Sequence, residues 1–243
     1  QATIVSVDMA TENLLPMNGA EFIGKTVLSI DHHMSNEGYA AMTNVQPACA
    51  ACGELLLDIL SQLGPVDQTM AEALYLAIST DTGCFQYSNV TGNTLRAAAA
   101  LKDLGADTFP INKIMFGTKT IARLRLESAL TESIEFYAGG KVGLCVMTNA
   151  MLDAIGASAD DTDDISGFAR NIEGVEIGVM IQELREGGAK ISLRTDEAHN
   201  ASDICGQLGG GGHKAAAGAT VPGGVSEAKE RILEAIAHSG VKL

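Results

Sequence analysis

Thr26-Val27-Leu28-Ser29-Ile30-Asp31-His32-His33 joins a short apolar run to one carboxylate and two imidazoles, and Met34-Ser35-Asn36-Glu37-Gly38 after it has the composition of a loop. The run predicts a buried strand. The Asp and the two His then stand where a strand opens into a loop, the edge at which open α/β sheets bind ligands. Imidazole and carboxylate together suit Zn, Mn or Fe. Taken alone, the triplet also fits a plain loop in which Asp31 caps a turn and the histidines are polar surface residues.

Two further carboxylates tip the balance. Ala2-Thr3-Ile4-Val5-Ser6-Val7-Asp8 is a second apolar run that ends in Asp. Ala73-Leu74-Tyr75-Leu76-Ala77-Ile78-Ser79-Thr80-Asp81-Thr82-Gly83 is an apolar helix or strand that also ends in Asp and runs into a Gly turn. Asp8, Asp31 and Asp81 thus all close hydrophobic segments, and in a parallel sheet those ends converge on one crevice.

With these residues in view the sequence resembles the DHH phosphoesterase superfamily. The resemblance rests on Val7-Asp8, Asp31-His32-His33, Asp81-Thr82-Gly83-Cys84-Phe85 and Gly209-Gly210-Gly211-Gly212-His213, in the same order and at fitting spacing along essentially the whole chain. The C-terminal signature is similar to the DHH-associated domain of the nanoRNase/pAp phosphatase and RecJ-type branch, and unlike the C-terminal domain of the superfamily's inorganic pyrophosphatases. The implied fold is α/β: a parallel-sheet DHH domain over residues 1–105, a helical linker over 106–120, and a smaller mixed α/β DHH-associated domain over 121–243.

Composition sets limits. A net charge of −14 argues against a surface built to grip long nucleic acid, whose non-specific affinity comes from Lys and Arg neutralising phosphates. A nucleotide substrate is therefore expected to be short and held by a few local cations. Without Trp, and with six Phe and four Tyr, few platforms remain for stacking bases. The apolar runs are far shorter than the roughly 20 residues of a membrane span, and no charged-then-apolar leader is visible. The five cysteines, Cys49, Cys52, Cys84, Cys145 and Cys205, lack disulfide-like regularity, which favours a reducing, cytoplasmic setting. Cys49 and Cys52 form a C-x-x-C, but no second pair follows at zinc spacing, and the small residues around them predict the start of a packed helix.

Helices are expected over 48–63, stopped by Gly64-Pro65, over 69–79, over 91–104, stopped by Gly105, over 107–117 and over 120–137. With the apolar strands between them they predict a parallel sheet covered on both faces. After Gly139-Gly140 the pattern predicts a strand over 141–147, a short helix over 149–155, and a hairpin of 175–184 with 189–193 around Arg185-Glu186-Gly187-Gly188. Helices over 202–208 and 226–238 complete the chain. Asp160, Asp161, Asp163 and Asp164 are expected to be solvated charges at a helix N-terminus.

The resemblance also implies roles. Phosphoester cleavage by two divalent cations about 3.5–4 Å apart needs several carboxylates and an imidazole. Asp8 matches the bridging carboxylate, His32 and Asp81 match ligands of one cation, Asp31 a group that orients an imidazole, and His33 the residue facing the substrate phosphate. Mn²⁺ is the expected metal, with Mg²⁺ an alternative. Arg194, at a strand end, matches the group that binds the terminal phosphate. Gly210, Gly211 and Gly212 would lend backbone N–H groups and His213 a further donor. The family's first motif, an Asp-rich loop upstream of the residue matching Asp8, is not in this sequence. The sequence is therefore expected to lack an N-terminal portion, and by itself to bind metal weakly and turn over slowly or not at all. The implied substrates are short oligoribonucleotides or 3′,5′-bisphosphate nucleotides such as pAp, attacked from an end. The alternatives are a cyclic or linear dinucleotide phosphodiesterase, or a degenerate non-catalytic nucleotide binder. A homodimer is possible, since some branches of the family dimerise.

Overall fold

The computed structural model describes residues 3–15 and 19–242; Ala2 of the first predicted run and Pro16 of the connection after it lie outside them. The chain divides into two compact units between Thr118 and Lys119.

The first unit carries three parallel strands in the order β1 (Val5–Val7), β2 (Leu28–Asp31), β3 (Met42–Val45). Four helices follow: α1 (Cys52–Leu63), α2 (Gln68–Asp81), α3 (Gly92–Asp103) and α4 (Thr108–Met115). Each boundary has a local cause. The N–H of Gly64 bonds back to the Leu60 carbonyl to close α1. Asp67 caps α2 through the Met70 N–H, and Thr91 and Thr94 form a reciprocal capping box on α3.

The sheet is covered on both faces, but only one cover is helical. Cys52 and Leu55 of α1 pack on Ile30. On the other face Ser6, Ser29 and Asp31 are buried beneath the loop after β2, where the Tyr39 hydroxyl donates to Ser6 Oγ at 2.8 Å. Val5 and Val7 on the edge strand remain partly exposed. The segment expected as a linker, 106–120, is for the most part α4. That helix belongs to the first unit and packs on α2, with Asn112 hydrogen-bonded to the Tyr75 hydroxyl.

The second unit is built on a six-stranded mixed sheet in the order β4 (Glu135–Tyr137), β5 (Val142–Met147), β6 (Ile177–Glu183), β7 (Ala189–Thr195), β9 (Ala216–Val221), β8 (Gly211–Gly212). Only β5 and β6 pair in parallel. Leu144, Ile177, Ile181, Ile191 and Leu193 face α7 (Ala201–Gly206) and α8 (Gly224–His238), where Ile204, Ile232 and Ile236 complete the larger core. Met147 and Met180 pack with Leu126 and Leu130 of α5 (Ile121–Ser133) and Leu152 of α6 (Asn149–Ile155).

Two expectations for this unit are corrected. The predicted helix over 120–137 stops at Ser133, because Ile134 turns extended and Glu135–Tyr137 pair antiparallel with β5. Asp161 is not a solvated charge. It is nearly buried and accepts from the Thr120 hydroxyl and from the Ser158 N–H and hydroxyl.

Gly53 fixes how closely α1 crosses α2. A Cβ there would stand 2.9 Å from Ile78 Cγ1 and 3.2 Å from the Leu74 carbonyl. Gly53→Ala should gain about 1 kcal/mol of helix propensity but lose about 1–3 kcal/mol to overpacking against Ile78 and the Leu74 backbone. The expected outcome is a lower urea midpoint with unchanged slope; an unchanged or raised midpoint contradicts the close crossing.

Candidate metal centre

Four elements deliver the residues. Asp8 follows β1 in a left-handed conformation (φ 61°), with its N–H on the Ile30 carbonyl at 2.9 Å. Asp31 ends β2, and His32 and His33 begin the loop after it. Asp81 is the last residue of α2. The segment ending in Asp81 is therefore a helix. Leu74, Tyr75 and Ile78 are its buried positions, at helical and not alternating spacing.

Asp31 is fully buried and serves as the anchor. One oxygen accepts from the N–H groups of His32 and His33 and from His33 Nδ1 at 2.7 Å; the other accepts from Asn36 Nδ2 at 2.7 Å. Burial alone would push its pKa up. The bonds from Asn36, His33 and His32 outweigh it and hold the carboxyl below the ordinary carboxylate range. The imidazole that Asp31 orients is that of His33.

His32 is oriented by a different group. Its Nδ1 lies 3.1 Å from the Cys49 carbonyl, so the proton on that nitrogen is spoken for and Nε2 faces the carboxylates. Nε2 stands 3.4 Å from Asp8 Oδ1 and 3.3 Å from Asp81 Oδ2. Asp8 first, helped by the Cys49 carbonyl and the Asp81 charge, overcomes burial and raises the His32 pKa to about 9. The Asp81 carboxyl is pushed up, first by burial and then by the Asp8 charge. The 3.3 and 3.4 Å separations from His32 Nε2 are those of neighbouring ligands around one small divalent cation, each about 2.0–2.2 Å from the ion, but Asp8 and Asp81 do not fall with His32 in one 4.8 Å group. Ligand atoms of Asp8, His32 and His33 lie within 4.8 Å of one another. Asp8 and His32 offer ligand atoms that suit a divalent cation, with His33 inside the same 4.8 Å group and Asp81 in contact with His32 Nε2 but outside that group.

The backbone around the cluster is strained. Besides Asp8, the consecutive residues Gly83, Cys84 and Phe85 all have φ between 55° and 65°, which turns the chain sharply after Asp81. Cys52 is buried under the site, donates to the Ile30 carbonyl at 3.3 Å, and has its thiol pushed up to about 12 by burial and then by the surrounding carboxylates. Cys49 and Cys52 are both free, and both pack in the small core around Ile30 and Leu55. Sequence reasoning missed Asn36 and the Cys49 carbonyl. Asn36 stood within the quoted loop, but a backbone carbonyl leaves no signal in sequence.

In the second unit Arg194 lies on β7 with Lys190 and Ser192 on the same face, and Arg194 Nη2 donates to Ser166 Oγ at 2.8 Å. These residues, with Gln182, Thr162, Asp163 and Asp164, line a polar depression of about 250 Å³. The glycine run differs from the expected cradle of free N–H groups. Gly209 and Gly210 donate to the Gly206 and Cys205 carbonyls, and the His213 N–H donates to the Ala216 carbonyl. Gly211 and Gly212 form β8 against β9. Gly210 and Gly212 are glycines because β9 passes too close for a side chain, whereas Gly211 faces open space. The His213 side chain is exposed.

A family model described as the DHHA1 domain matches residues 143–239. A protein of Thermus thermophilus named bifunctional oligoribonuclease and PAP phosphatase NrnA is 33% identical over 242 residues, covering 97% of this chain and 70% of that protein. The chain belongs to the DHH phosphoesterase superfamily. Within it, the likeness is to the oligoribonuclease and pAp phosphatase branch: a Bacillus subtilis protein of the same name is 21% identical over 202 residues, 82% of this chain and 63% of that protein. An exopolyphosphatase-related protein of Bacteroides fragilis shares the fold, with a TM-score of 0.89, 22% identity, and coverage of 97% of this chain and 71% of that one. This DHH chain thus spans about two thirds of the length of these relatives.

The raised His32 pKa fixes a sign for the metal-free protein. Protonated His32 is favoured by the fold, so its contribution to stability is complete below the unfolded value of 6.5 and is lost as pH rises through about 9. NMR of the His32 ring should show it protonated at pH 7 and titrating near 9; a midpoint at or below 6.5 contradicts this geometry.

Proposed function

We propose that this DHH chain is the metal-binding and substrate-binding part of a hydrolase that cleaves phosphoester bonds in short oligoribonucleotides or nucleoside 3′,5′-bisphosphates. The observation that carries the reading is that Asp8 Oδ1 and Asp81 Oδ2, from two separate segments, both stand within 3.4 Å of His32 Nε2. The names of the Thermus and Bacillus relatives support the substrate class, and the net charge of −14 favours short substrates over long ones. No described helix is long and apolar enough to cross a membrane.

In this reading Asp8, His32 and Asp81 hold a divalent cation, with Mn²⁺ the best match to a donor set of carboxylates and imidazole. Such a cation supplies Lewis acidity toward a phosphoryl oxygen and an activated nucleophile at neutral pH. Asp8, which stands beside both histidines, would be the carboxylate to hold a second cation as well. His33, with Nδ1 locked onto Asp31, offers its other ring nitrogen to the substrate phosphate. Asp31 keeps that ring in place and in one tautomer. In the second unit Arg194 takes a terminal phosphate through its guanidinium, whose paired donors match phosphate oxygens. His213 and the open backbone at Gly211 lie two strands away across the same sheet.

The test uses the full-length protein with Mn²⁺ and pAp, pApA and cyclic di-AMP as separate substrates. Hydrolysis of pAp and pApA faster than cyclic di-AMP is expected. Asp81→Asn should lower kcat/KM by roughly two to three orders of magnitude through loss of charge stabilisation. Arg194→Ala should raise KM more than it lowers kcat. An Asp81→Asn variant as active as wild type, or a wild type inert toward all three substrates, would end the reading. A preference for cyclic di-AMP would move it to a cyclic dinucleotide phosphodiesterase.

A further inference from the structure

The peptide group between Cys49 and Ala50 is gripped at both ends. Its carbonyl stands 3.1 Å from His32 Nδ1, and its N–H donates to Glu54 Oε1 at 2.9 Å. Glu54 lies in the first turn of α1, is 7% exposed, and takes a second bond from the Thr94 hydroxyl at 3.0 Å. The next carbonyl, that of Ala50, accepts from Asn89 Nδ2 at 3.2 Å. Burying a carboxylate is costly, and anchoring α1 to α3 through Thr94 alone would not require one.

What distinguishes Glu54 is the path that starts from it. Hydrogen bonds in a chain polarise one another, so an amide that donates to a carboxylate is a stronger acceptor at its own oxygen. An imidazole that donates through Nδ1 to a stronger acceptor is more basic at Nε2 and better fixed in orientation, as metal-ligating histidines require. We propose that Glu54 is a positioning residue for the metal centre, acting on His32 through the Cys49–Ala50 peptide and strengthening Nε2 as a ligand. This rests on the reading of Asp8, His32 and Asp81 as cation ligands.

The experiment measures Mn²⁺ affinity by calorimetry on the full-length wild type, Glu54→Gln and Asn89→Ala. It also follows the His32 ring Hδ1 resonance by NMR in the metal-free proteins. Gln keeps the length and an acceptor oxygen but not the charge. Glu54→Gln should bind Mn²⁺ about threefold to tenfold more weakly and move Hδ1 upfield, in line with removing a group one peptide behind a ligating His. Asn89→Ala loosens the same loop without touching the Cys49–Ala50 peptide and should leave affinity within about twofold. An unchanged affinity or an unmoved Hδ1 in Glu54→Gln overturns the proposal. An Asn89→Ala loss as large as that of Glu54→Gln also overturns it, since loop order would then be the cause. A wild type that binds no Mn²⁺ removes the metal-centre reading and this proposal together, whereas wild-type binding that Glu54→Gln leaves intact removes this proposal alone. Should Glu54→Gln not fold, Mg²⁺ titration of the wild type decides. The Ala50 amide proton is expected to shift as the site fills, and a resonance that stays still overturns the relay.

Discussion

A carboxylate with no access to water must be met by donors or lose its charge, and Asp31 is met from four directions. Those donors are the backbone of the two residues that follow it, the ring of the second of them, and the amide of Asn36. The chain can satisfy them only by curling back over the end of β2. That curl buries the polar face of the parallel sheet and turns His32 and His33 toward Asp8. The site and the cover of the sheet are therefore one structure, and the charge at position 31 is the reason for both.

The first unit was largely legible because its signals are local. Apolar runs that end in Asp, a helical spacing of Leu and Ile, and Gly-Pro after Leu63 each report on a few neighbouring residues. Asp81 was found although its segment was ambiguous, since a short apolar stretch reads equally as helix or strand until its buried positions are known. The Cys49 carbonyl that fixes the His32 tautomer was invisible, because backbone groups carry no residue identity. The burial of Asp161 was missed for a related reason. Its donors, Thr120 and Ser158, come from a helix cap and a turn, and only tertiary structure brings them together.

The glycine run shows the opposite failure, where a strong motif suggested the wrong use of its atoms. Four consecutive glycines imply freely offered N–H groups, but most of these are spent within the fold. Gly210 and Gly212 are small because β9 passes against them. The run lets a two-residue edge strand lie flat on β9, with Gly211 facing open space. A Gly-rich loop is evidence of close approach, and whether the approaching group is a ligand or the protein's own backbone is a separate question.

Left-handed non-glycine backbone occurs at Ala138 and Asp164 in the second unit and at Asp8, Cys84 and Phe85 beside the site in the first. Left-handed backbone at Asp8, Cys84 and Phe85 costs on the order of 1–3 kcal/mol per residue and persists only where surrounding contacts determine it. At Asp8 the determining contact is the N–H bond to Ile30, one residue before Asp31. At Cys84 it is a 2.7 Å bond to the Ser79 carbonyl, two residues before Asp81. Both strained segments adjoin a carboxylate in contact with His32 Nε2. Two acidic groups brought this close repel each other, as the upward push on the Asp81 carboxyl by Asp8 records. An imidazolium between them relieves that repulsion with one positive charge, and a divalent cation would relieve it with two.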